Sequence, residues 1–282
     1  MLCRIGEIEV WRILEIHGPF LPPEKLFPNA GDNVRDVIND RVPGQLCPDT
    51  GNLILPVQGF LLKTPSHTIL VDSCVGNDKT NPGTPAWNKR SGNRFMSALH
   101  AAGVKPENVD YVLCTHLHSD HVGWNTRLED GRWVPTFPNA RYLMPSADEQ
   151  FSREQGGNLY IESVLPVIEA EQVELVEGEH NLGDHVTLIS TPGHTPGHVS
   201  VLLKSGDREA IITGDALHST VQCWRPDWHF LYDADGEQAV RSRRKLLETA
   251  SEKGCAVLGS HFSLPSIGRV SAEGNAFRWD EK

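Results

Sequence analysis

The chain alternates short apolar runs with polar turns, a pattern that predicts strands joined by loops and a smaller number of helices. In the first half the apolar runs are rich in Ile, Leu and Val and are bounded by Gly, Pro or Asn. They predict strands over residues 5–16, 52–63 and 67–72. A helix is predicted over residues 91–102, with Ser91 at its start and Gly103 at its end. A strand over residues 110–114 follows it.

The second half repeats this organisation. Strands are predicted near residues 141–144, 173–176, 186–190, 199–204, 210–213 and 256–259. Helices are predicted from Pro145 and Ser146, over 159–170 in spite of Pro166, and over 235–253, with a last hairpin that turns at Gly274-Asn275. Two runs of strands with helices among them indicate an α/β (α+β) protein, with two sheets packed face to face and helices outside. We expect residues 1–282 to form a single domain.

Residues 20–51 are the exception, since they are rich in Pro and Gly. We expect this segment to be too polar and irregular for a core, and to form an arm or a lid.

Composition narrows the classes of partner. The net charge of −11 disfavours binding to nucleic acid, which requires clustered Lys and Arg. The run from Arg241 to Lys245 is interpreted as the solvated face of a helix. No apolar run is long enough to span a membrane, and the start of the chain lacks the pattern of a secretory signal, so the expected location is the cytoplasm. The six cysteines lack paired spacing and are expected to be free and mostly packed.

The residues that carry chemistry are concentrated in Thr115-His116-Leu117-His118-Ser119-Asp120-His121, directly after a predicted strand. A lone His-x-His is a weak signal, because alternate strand positions face the same way. The Asp-His pair immediately afterwards makes a metal site the better interpretation than a histidine-rich turn. Imidazole and carboxylate ligands suit zinc, while iron, manganese or cobalt stay open.

Three later residues extend the set, and each follows a predicted apolar strand. They are His194 after Thr191-Pro192-Gly193, Asp215 after Thr213-Gly214, and His261 after Gly259-Ser260. Side chains at strand ends on one rim of a sandwich can converge.

Together these motifs resemble the metallo-β-lactamase superfamily. The resemblance implies a four-layer αββα sandwich with two divalent metal ions. His116, His118 and His194 would bind the first ion, Asp120, His121 and His261 the second, and Asp215 would bridge them. Asp72 matches the family's Asp at the end of an early strand and would orient a ligand histidine, and His198 would also support the ligands.

The C-terminal segment from Ser260 to Val270 resembles the branch that contains methyl parathion hydrolase, next to the N-acyl homoserine lactonases. Those lactonases commonly carry Tyr three residues after the bridging Asp, where this chain has His218. An imidazole there is a candidate to donate to a carbonyl oxygen or to protonate a leaving alkoxide. Asp120 is the candidate for carrying the proton of the attacking water.

The predicted function is therefore hydrolysis of lactones or other carboxylic esters by a hydroxide that bridges two metal ions. The alternatives are an organophosphate triester hydrolase, a thioester hydrolase of the glyoxalase II type, and a metal-dependent binding protein with little turnover. We predict an apolar substrate pocket lined by Trp124, Trp224, Trp228 and Phe230. The predicted partner is a small ester or lactone, and the assembly is open between a monomer and a homodimer.

Overall fold

The computed structural model describes residues 1–80 and 82–281, which divide into two compact units. The first unit comprises Met1–Glu15 and Val57–His185, and the second comprises Ile16–Pro56 and Val186–Lys282. Each unit combines strands and helices, and each carries part of the predicted ligand set. The organisation of the whole chain as a single domain stays a prediction.

The strands of the first half form a seven-stranded sheet in the order β1-β2-β3-β4-β5-β8-β9, and β6 and β7 form a separate hairpin. Their bounds are β1 Cys3–Ile5, β2 Ile8–Pro19, β3 Ile54–Lys63, β4 Thr68–Val71, β5 Tyr111–Leu113, β6 Thr126–Glu129, β7 Arg132–Pro135, β8 Arg141–Pro145 and β9 Val173–Val176. Strands β4, β5, β8 and β9 run parallel. Val112 and Leu113 point to opposite faces of β5 and are both buried, as is typical of a strand in a parallel sheet, and the histidine motif begins where this strand ends.

The strands of the second half are neighbours in sequence order. They form a second seven-stranded sheet and are β10 His180–Leu182, β11 Val186–Ser190, β12 Val199–Ser205, β13 Arg208–Ile212, β14 Ala256–Leu258, β15 Ile267–Glu273 and β16 Ala276–Glu281. From β11 onward, all neighbouring pairs are antiparallel except β13 and β14. The predicted final hairpin is confirmed, since Glu273 pairs with Ala276 across the Gly274-Asn275 turn.

Nine α-helical segments occur in the described residues. They are α1 Pro23–Leu26, α2 Val34–Arg41, α3 Arg94–Ala101, α4 Ser119–Val122, α5 Ser146–Gln155, α6 Gly157–Leu159, α7 Leu165–Glu169, α8 Val221–Trp224 and α9 Gly236–Lys253. The helix predicted over 159–170 is divided by a π-helical turn at Tyr160–Val164, so that Pro166 falls in the first turn of α7, where its missing N–H is tolerated. Helix α9 starts as predicted, with the Asp235 side chain accepting the backbone N–H of Gln238.

The expectation that residues 20–51 are too polar for a core is wrong. Leu26, Phe27, Val34 and Ile38 are fully or almost fully buried in one apolar cluster that also contains Trp228. Val34 and Ile38 are one helical turn apart in α2, so a short helix with one apolar face accounts for their burial. Helix α2 has only eight residues, which is too short a stretch for its apolar spacing to be distinguished from an irregular loop in the sequence. A role of the segment as an arm or a lid stays a prediction.

The interpretation of the basic run as a solvated face is also wrong for one residue. Arg243 is 0% exposed, although Arg241 and Lys245 in the same helix are exposed. All six cysteines are free, and four of them are buried, as expected. Among the described residues, the structure contains no helix of the length and apolarity needed to cross a bilayer.

Candidate metal centre

The first unit presents four predicted ligands from one short segment. After β5 the chain turns through His116 and His118 into α4, which carries Asp120 and His121. The rings of His116 and His118 are 4.7 Å apart between centroids, and those of His116 and His121 are 4.0 Å apart. The metal-binding atoms of His116 and His118 lie within 4.8 Å of each other, as do those of Asp120 and His121. The segment thus brings the four side chains close together, and their role as metal ligands stays a prediction.

Asp72, at the end of β4, holds this segment in place. Its Oδ1 accepts the backbone N–H of Thr115 at 2.8 Å, and its Oδ2 accepts the Thr115 hydroxyl at 2.9 Å. The same Oδ2 lies 2.8 Å from Nδ1 of His121. A carboxylate can only accept, so Nδ1 of His121 carries the proton and Nε2 keeps a lone pair for a metal. Asp72 thus contacts a predicted ligand, as the sequence analysis expected.

Close backbone contacts fix the position of Asp72. The residue adopts a φ of 59°, which is in the left-handed region. A Cβ on Gly59 would lie 2.2 Å from the carbonyl oxygen of Asp72, so only glycine allows this approach. A Cβ on Gly123 would likewise lie 1.8 Å from the carbonyl oxygen of Val75. Glycines at these points let the chain around the ligand segment pack backbone to backbone.

In the second unit three histidines surround Asp215. Its Oδ2 lies 3.4 Å from Nε2 of His194 and 3.1 Å from Nε2 of His218. Its Oδ1 lies 3.2 Å from Nε2 of His261. His194 follows β11, Asp215 and His218 follow β13, and His261 follows β14, so the cluster is built from three loops at strand ends. The two carboxylate oxygens therefore face different predicted ligands.

Two of these histidines are held with Nε2 toward Asp215. Nδ1 of His261 lies 2.8 Å from the carbonyl oxygen of Pro56, and Nδ1 of His194 lies 2.9 Å from Oδ1 of Asp233. Both partners are acceptors only, so each Nδ1 donates its proton. The Nε2 atoms are consequently the basic nitrogens, which is the tautomer that a metal ligand requires.

His198 supports Asp215 through the backbone. Its Nε2 accepts the backbone N–H of Asp215 at 2.9 Å. Its Nδ1 therefore carries the proton and donates toward the carbonyl oxygen of Thr191, which lies 3.1 Å away. The predicted supporting role of His198 corresponds to this contact, which fixes the loop on which Asp215 lies.

The loop before His194 packs against the start of α9. Gly193 has a φ of 130°, and a Cβ on it would lie 2.1 Å from the backbone N of Ala239. The carbonyl oxygens of Gly193 and His194 accept the backbone N–H groups of Asp235 and Ala234. The Pro-Gly sequence before His194 thus allows the close approach that positions the histidine.

Burial and neighbouring charges shift two pKa values in the second unit. Burial opposes ionisation of Asp233, but the hydrogen bond from His194 and the charges of His194, His218 and Arg243 outweigh it and lower the pKa of this carboxyl. Burial also lowers the pKa of His218, although Asp215 acts in the opposite direction. Asp233 is consequently an ionised acceptor, and His218 is a neutral imidazole at neutral pH.

The four aromatic residues predicted to line a pocket have different surroundings. Phe230 stacks on His218, with ring centroids 3.4 Å apart and planes 10° apart. Trp228 packs with Phe27 in the apolar cluster of residues 20–51, and Trp224 is half-buried. Trp124 stacks on Phe95, and its indole N–H donates to Glu15 Oε1 at 2.8 Å. Phe230 is thus in direct contact with a residue of the Asp215 cluster.

Sequence reasoning missed several residues that hold the predicted site residues in place. Asp233 and Arg243 were not recognised, because Asp233 precedes a helix cap and Arg243 lies in a basic run. Gln222 was missed as well, although its Oε1 accepts the backbone N–H of His218 at 2.8 Å and its Nε2 donates to Trp228 O. For Asp233 the sequence offers one weak signal, which is that a carboxylate stands two residues before the helix cap Asp235.

The residues present in each unit fit divalent metal ions. Imidazole and carboxylate donors are the set that zinc, iron and manganese prefer, and several imidazoles are held in the tautomer that leaves Nε2 basic. Four further hydrogen-bonding groups, Asp72, Thr115, His198 and Asp233, support them. Such supporting contacts are a regular property of metal sites.

Comparisons with known proteins agree with this chemistry. The family model of the metallo-β-lactamase superfamily matches residues 54–261. The chain belongs to this superfamily. An N-acyl homoserine lactonase of Bacillus cereus is 31% identical over 225 residues, which cover 75% of this chain and 83% of the relative. An N-acyl homoserine lactonase of a Bacillus species is 30% identical over 78% of this chain and 84% of its own length.

A crystallised hydrolase of the β-lactamase superfamily is similar with a TM-score of 0.82 and 25% identity, over 99% of this chain and 96% of the other. The predicted fold, a mixed α/β fold of the metallo-β-lactamase type, is confirmed by this match and by the family model. Membership of the superfamily and relatives named as lactonases support the predicted class, a metal-dependent hydrolase acting on ester bonds.

Proposed function

We propose that the chain is a hydrolase that uses two divalent metal ions, with zinc as the expected metal, to open lactones or cleave other carboxylic esters. Its relatives named N-acyl homoserine lactonase support the lactone as the substrate class. The observation that carries the binuclear arrangement is the orientation of Asp215. Its Oδ1 faces Nε2 of His261 and its Oδ2 faces Nε2 of His194, as a carboxylate shared by two cations requires.

The proposed ligand sets follow from this arrangement. His116, His118 and His194 would hold one ion together with one oxygen of Asp215. Asp120, His121 and His261 would hold the second ion, to which the other oxygen of Asp215 would contribute. The donors suit zinc without excluding iron, manganese or cobalt.

When bound, the two ions would lower the pKa of water toward neutrality, so that hydroxide is available as the nucleophile, and would polarise the carbonyl oxygen of the substrate. The chain itself would move the proton. Asp120 is a carboxylate on α4 whose side chain is 15% exposed, so it can accept a proton and pass it to the leaving oxygen. His218 would contact the substrate as a neutral imidazole, because burial lowers its pKa.

The surroundings of His218 favour an apolar substrate. Its ring is covered by Phe230, which packs at 5.8 Å from Phe27, and Trp228 lies at 5.4 Å from Phe27. An apolar wall of this kind beside the site would favour acyl or aryl groups over anions. The net charge of −11 also works against a highly anionic substrate such as a nucleotide.

The test is a substrate panel on one purified sample whose metal content is measured by elemental analysis. The panel contains N-acyl homoserine lactones of short and long chain, an aryl ester, a thioester and a phosphotriester. We expect two metal ions per chain and the highest kcat/KM for a lactone. Asp120→Asn keeps a ligand oxygen but lowers the basicity of the side chain, so kcat should fall by about 100-fold or more while metal is retained.

Other outcomes separate the alternatives. A higher kcat/KM for the phosphotriester or the thioester would replace the lactone as the substrate class. A sample with full metal content that hydrolyses none of the panel would favour a binding protein with little turnover. The cytoplasmic location and the choice between monomer and homodimer stay predictions.

A further inference from the structure

A buried carboxylate and guanidinium lie behind His194, on the side away from Asp215. Oδ1 of Asp233 accepts the Nδ1–H of His194 at 2.9 Å, while Nε2 of the same ring faces Oδ2 of Asp215 at 3.4 Å. The side chains of His194 and Asp233 are each 1% exposed. Water therefore does not compete for this hydrogen bond, and Asp233 determines the direction in which Nε2 points.

Asp233 is itself fixed from two sides. Its Oδ2 accepts the backbone N–H of Phe230 at 2.8 Å. Nη2 of Arg243 lies 3.8 Å from the same oxygen, which is beyond hydrogen-bond length but close enough for a charge interaction in a buried environment. A buried carboxylate is costly unless such groups compensate it, and the contacts with Phe230 and Arg243 hold Asp233 in this position.

Arg243 also connects the loop that carries Asp215 with the segment before Asp233. Its Nε donates to the carbonyl oxygen of Ala216, the residue after Asp215, at 2.8 Å. Its Nη1 donates to the carbonyl oxygens of Pro226 and Trp228 at 3.0 and 2.6 Å. The planar guanidinium holds its donors in a fixed geometry, and a lysine cannot reproduce it. One side chain of α9 thus ties the Asp215 loop to the segment that leads to Asp233.

We propose that Asp233 and Arg243 are positioning residues for metal binding: Asp233 fixes the tautomer and direction of His194, and Arg243 fixes Asp233 relative to the loop of Asp215. This proposal rests on the proposed function, since it assigns His194 and Asp215 as ligands of the same ion. According to this proposal, helix α9 supplies no ligand but influences, through Arg243, how tightly the protein binds that ion.

The test is zinc affinity, measured by competition with a chromophoric chelator, for the wild type and for Asp233→Asn and Asp233→Ala. Loss of a partner that orients a ligand histidine should weaken binding of one of the two ions by about 10–100-fold. The absorption spectrum of the cobalt-loaded protein should change for that ion, because the position of His194 changes. Asp235→Asn is the matched control, since Asp235 is two residues away and caps α9 without contacting His194, and Asn also caps helices.

Arg243→Lys tests the second half of the proposal. It keeps the charge but loses the fixed geometry of the donors, so zinc affinity should fall by about 10-fold. Unfolding of the metal-free variants is followed in parallel, so that a loss of fold is recognised. If Arg243→Lys does not fold, Asp233→Asn, which preserves side-chain size, decides the proposal.

Zinc affinity and a cobalt spectrum equal to those of the wild type in both Asp233 variants would overturn the proposal. A wild type without zinc affinity would overturn it together with the proposed metal site. A wild type that binds two zinc ions but opens no lactone contradicts only the proposed substrate, and the effect of Asp233 on zinc affinity would still be measured.

Discussion

The two units present their proposed ligands in different ways. In the first unit four proposed ligands come from six consecutive positions, His116 to His121, and one residue, Asp72, holds the segment through Thr115 and His121. In the second unit each ligand lies on a separate loop and has its own partner. His194 contacts Asp233, His261 contacts the carbonyl of Pro56, and the backbone of Asp215 contacts His198.

The comparison shows that the placement of some ligands follows from a local sequence motif, whereas the placement of others depends on the whole fold. A contiguous motif after a strand brings its side chains together by backbone geometry alone, and one carboxylate is sufficient to orient it. Ligands on separate loops depend on every loop being held independently, so more of the supporting residues lie outside the motifs. We therefore expect the second unit to tolerate substitution of supporting residues less well than the first.

The largest expected effect is that of removing the residue shared by both ions. Asp215→Ala should lose both metal ions and reduce kcat/KM by about 1000-fold or more, because loss of a ligand exceeds the 10–100-fold cost of losing a supporting partner. His118→Ala removes a ligand of one ion and should leave the other bound. Elemental analysis distinguishes the two variants, and equal metal loss in both would contradict the bridging role of Asp215.

The next largest effect concerns the carboxylate of the first unit. Asp72→Asn keeps the shape but cannot accept equally well from Thr115 and His121, so the affinity for one ion should fall by about 10–100-fold. Asp110→Asn is the control, since Asp110 accepts the backbone N–H of Thr68 without contacting a ligand. If the Asp72 and Asp233 variants are compared in one chelator titration, the larger loss should be in Asp233→Ala, which also leaves Arg243 without its carboxylate.

The same contrast explains how much could be predicted from the sequence. The motif at His116 to His121, the strands before each ligand and the long helix α9 are local patterns, and they were predicted near their observed bounds. Asp233 was not predicted, because its contact with His194 joins residues 39 positions apart and neither spacing nor composition indicates it.

Arg243 and residues 20–51 were misjudged for related reasons. A guanidinium in a basic run is usually solvated, and its burial becomes evident only when the carbonyl oxygens of Ala216, Pro226 and Trp228 surround it. The short helices α1 and α2 bury Leu26 and Ile38 against Trp228, a residue that is distant in sequence. In both cases the burial results from contacts with residues that are distant in sequence, which local propensity does not indicate.

A smaller effect is expected from a single methyl group in the loop of His194. Gly193→Ala should lower the free energy of unfolding by about 1–3 kcal/mol, because its φ of 130° disfavours an L side chain and the new Cβ would lie 2.1 Å from the backbone of Ala239. Gly92→Ala is the control, since a Cβ there has no neighbour within 4 Å. Urea unfolding of the metal-free proteins measures both, and an unchanged value for Gly193→Ala would show that the contact with α9 adapts easily.

The smallest expected effect is on the pH dependence of stability, and it follows from a comparison of two buried basic side chains, Arg243 and Lys79. Arg243 in the second unit keeps a pKa of about 10 despite burial, so it is charged at neutral pH. Lys79 in the first unit is 3% exposed, and burial lowers its pKa to about 7, although Glu162 and Asp78 act in the opposite direction. Its Nζ donates to the Thr126 hydroxyl and to the Glu162 carbonyl at 2.6 and 2.8 Å and lies 3.7 Å from the centre of the Trp133 ring.

Stability of the wild type should therefore depend on pH through Lys79. Since the pKa of Lys79 is lower in the folded protein than the ordinary value of 10.5, the unfolded chain binds more protons between these values, and stability rises with pH from about 7 upward. Relative to Lys79→Met, the wild type should gain about 1 kcal/mol between about pH 7 and 8. Urea unfolding at both pH values measures this, with the exposed Lys245→Met as control. A parallel pH dependence in wild type and Lys79→Met would mean that the Trp133 ring and the two acceptors keep the ammonium charged, as Arg243 is.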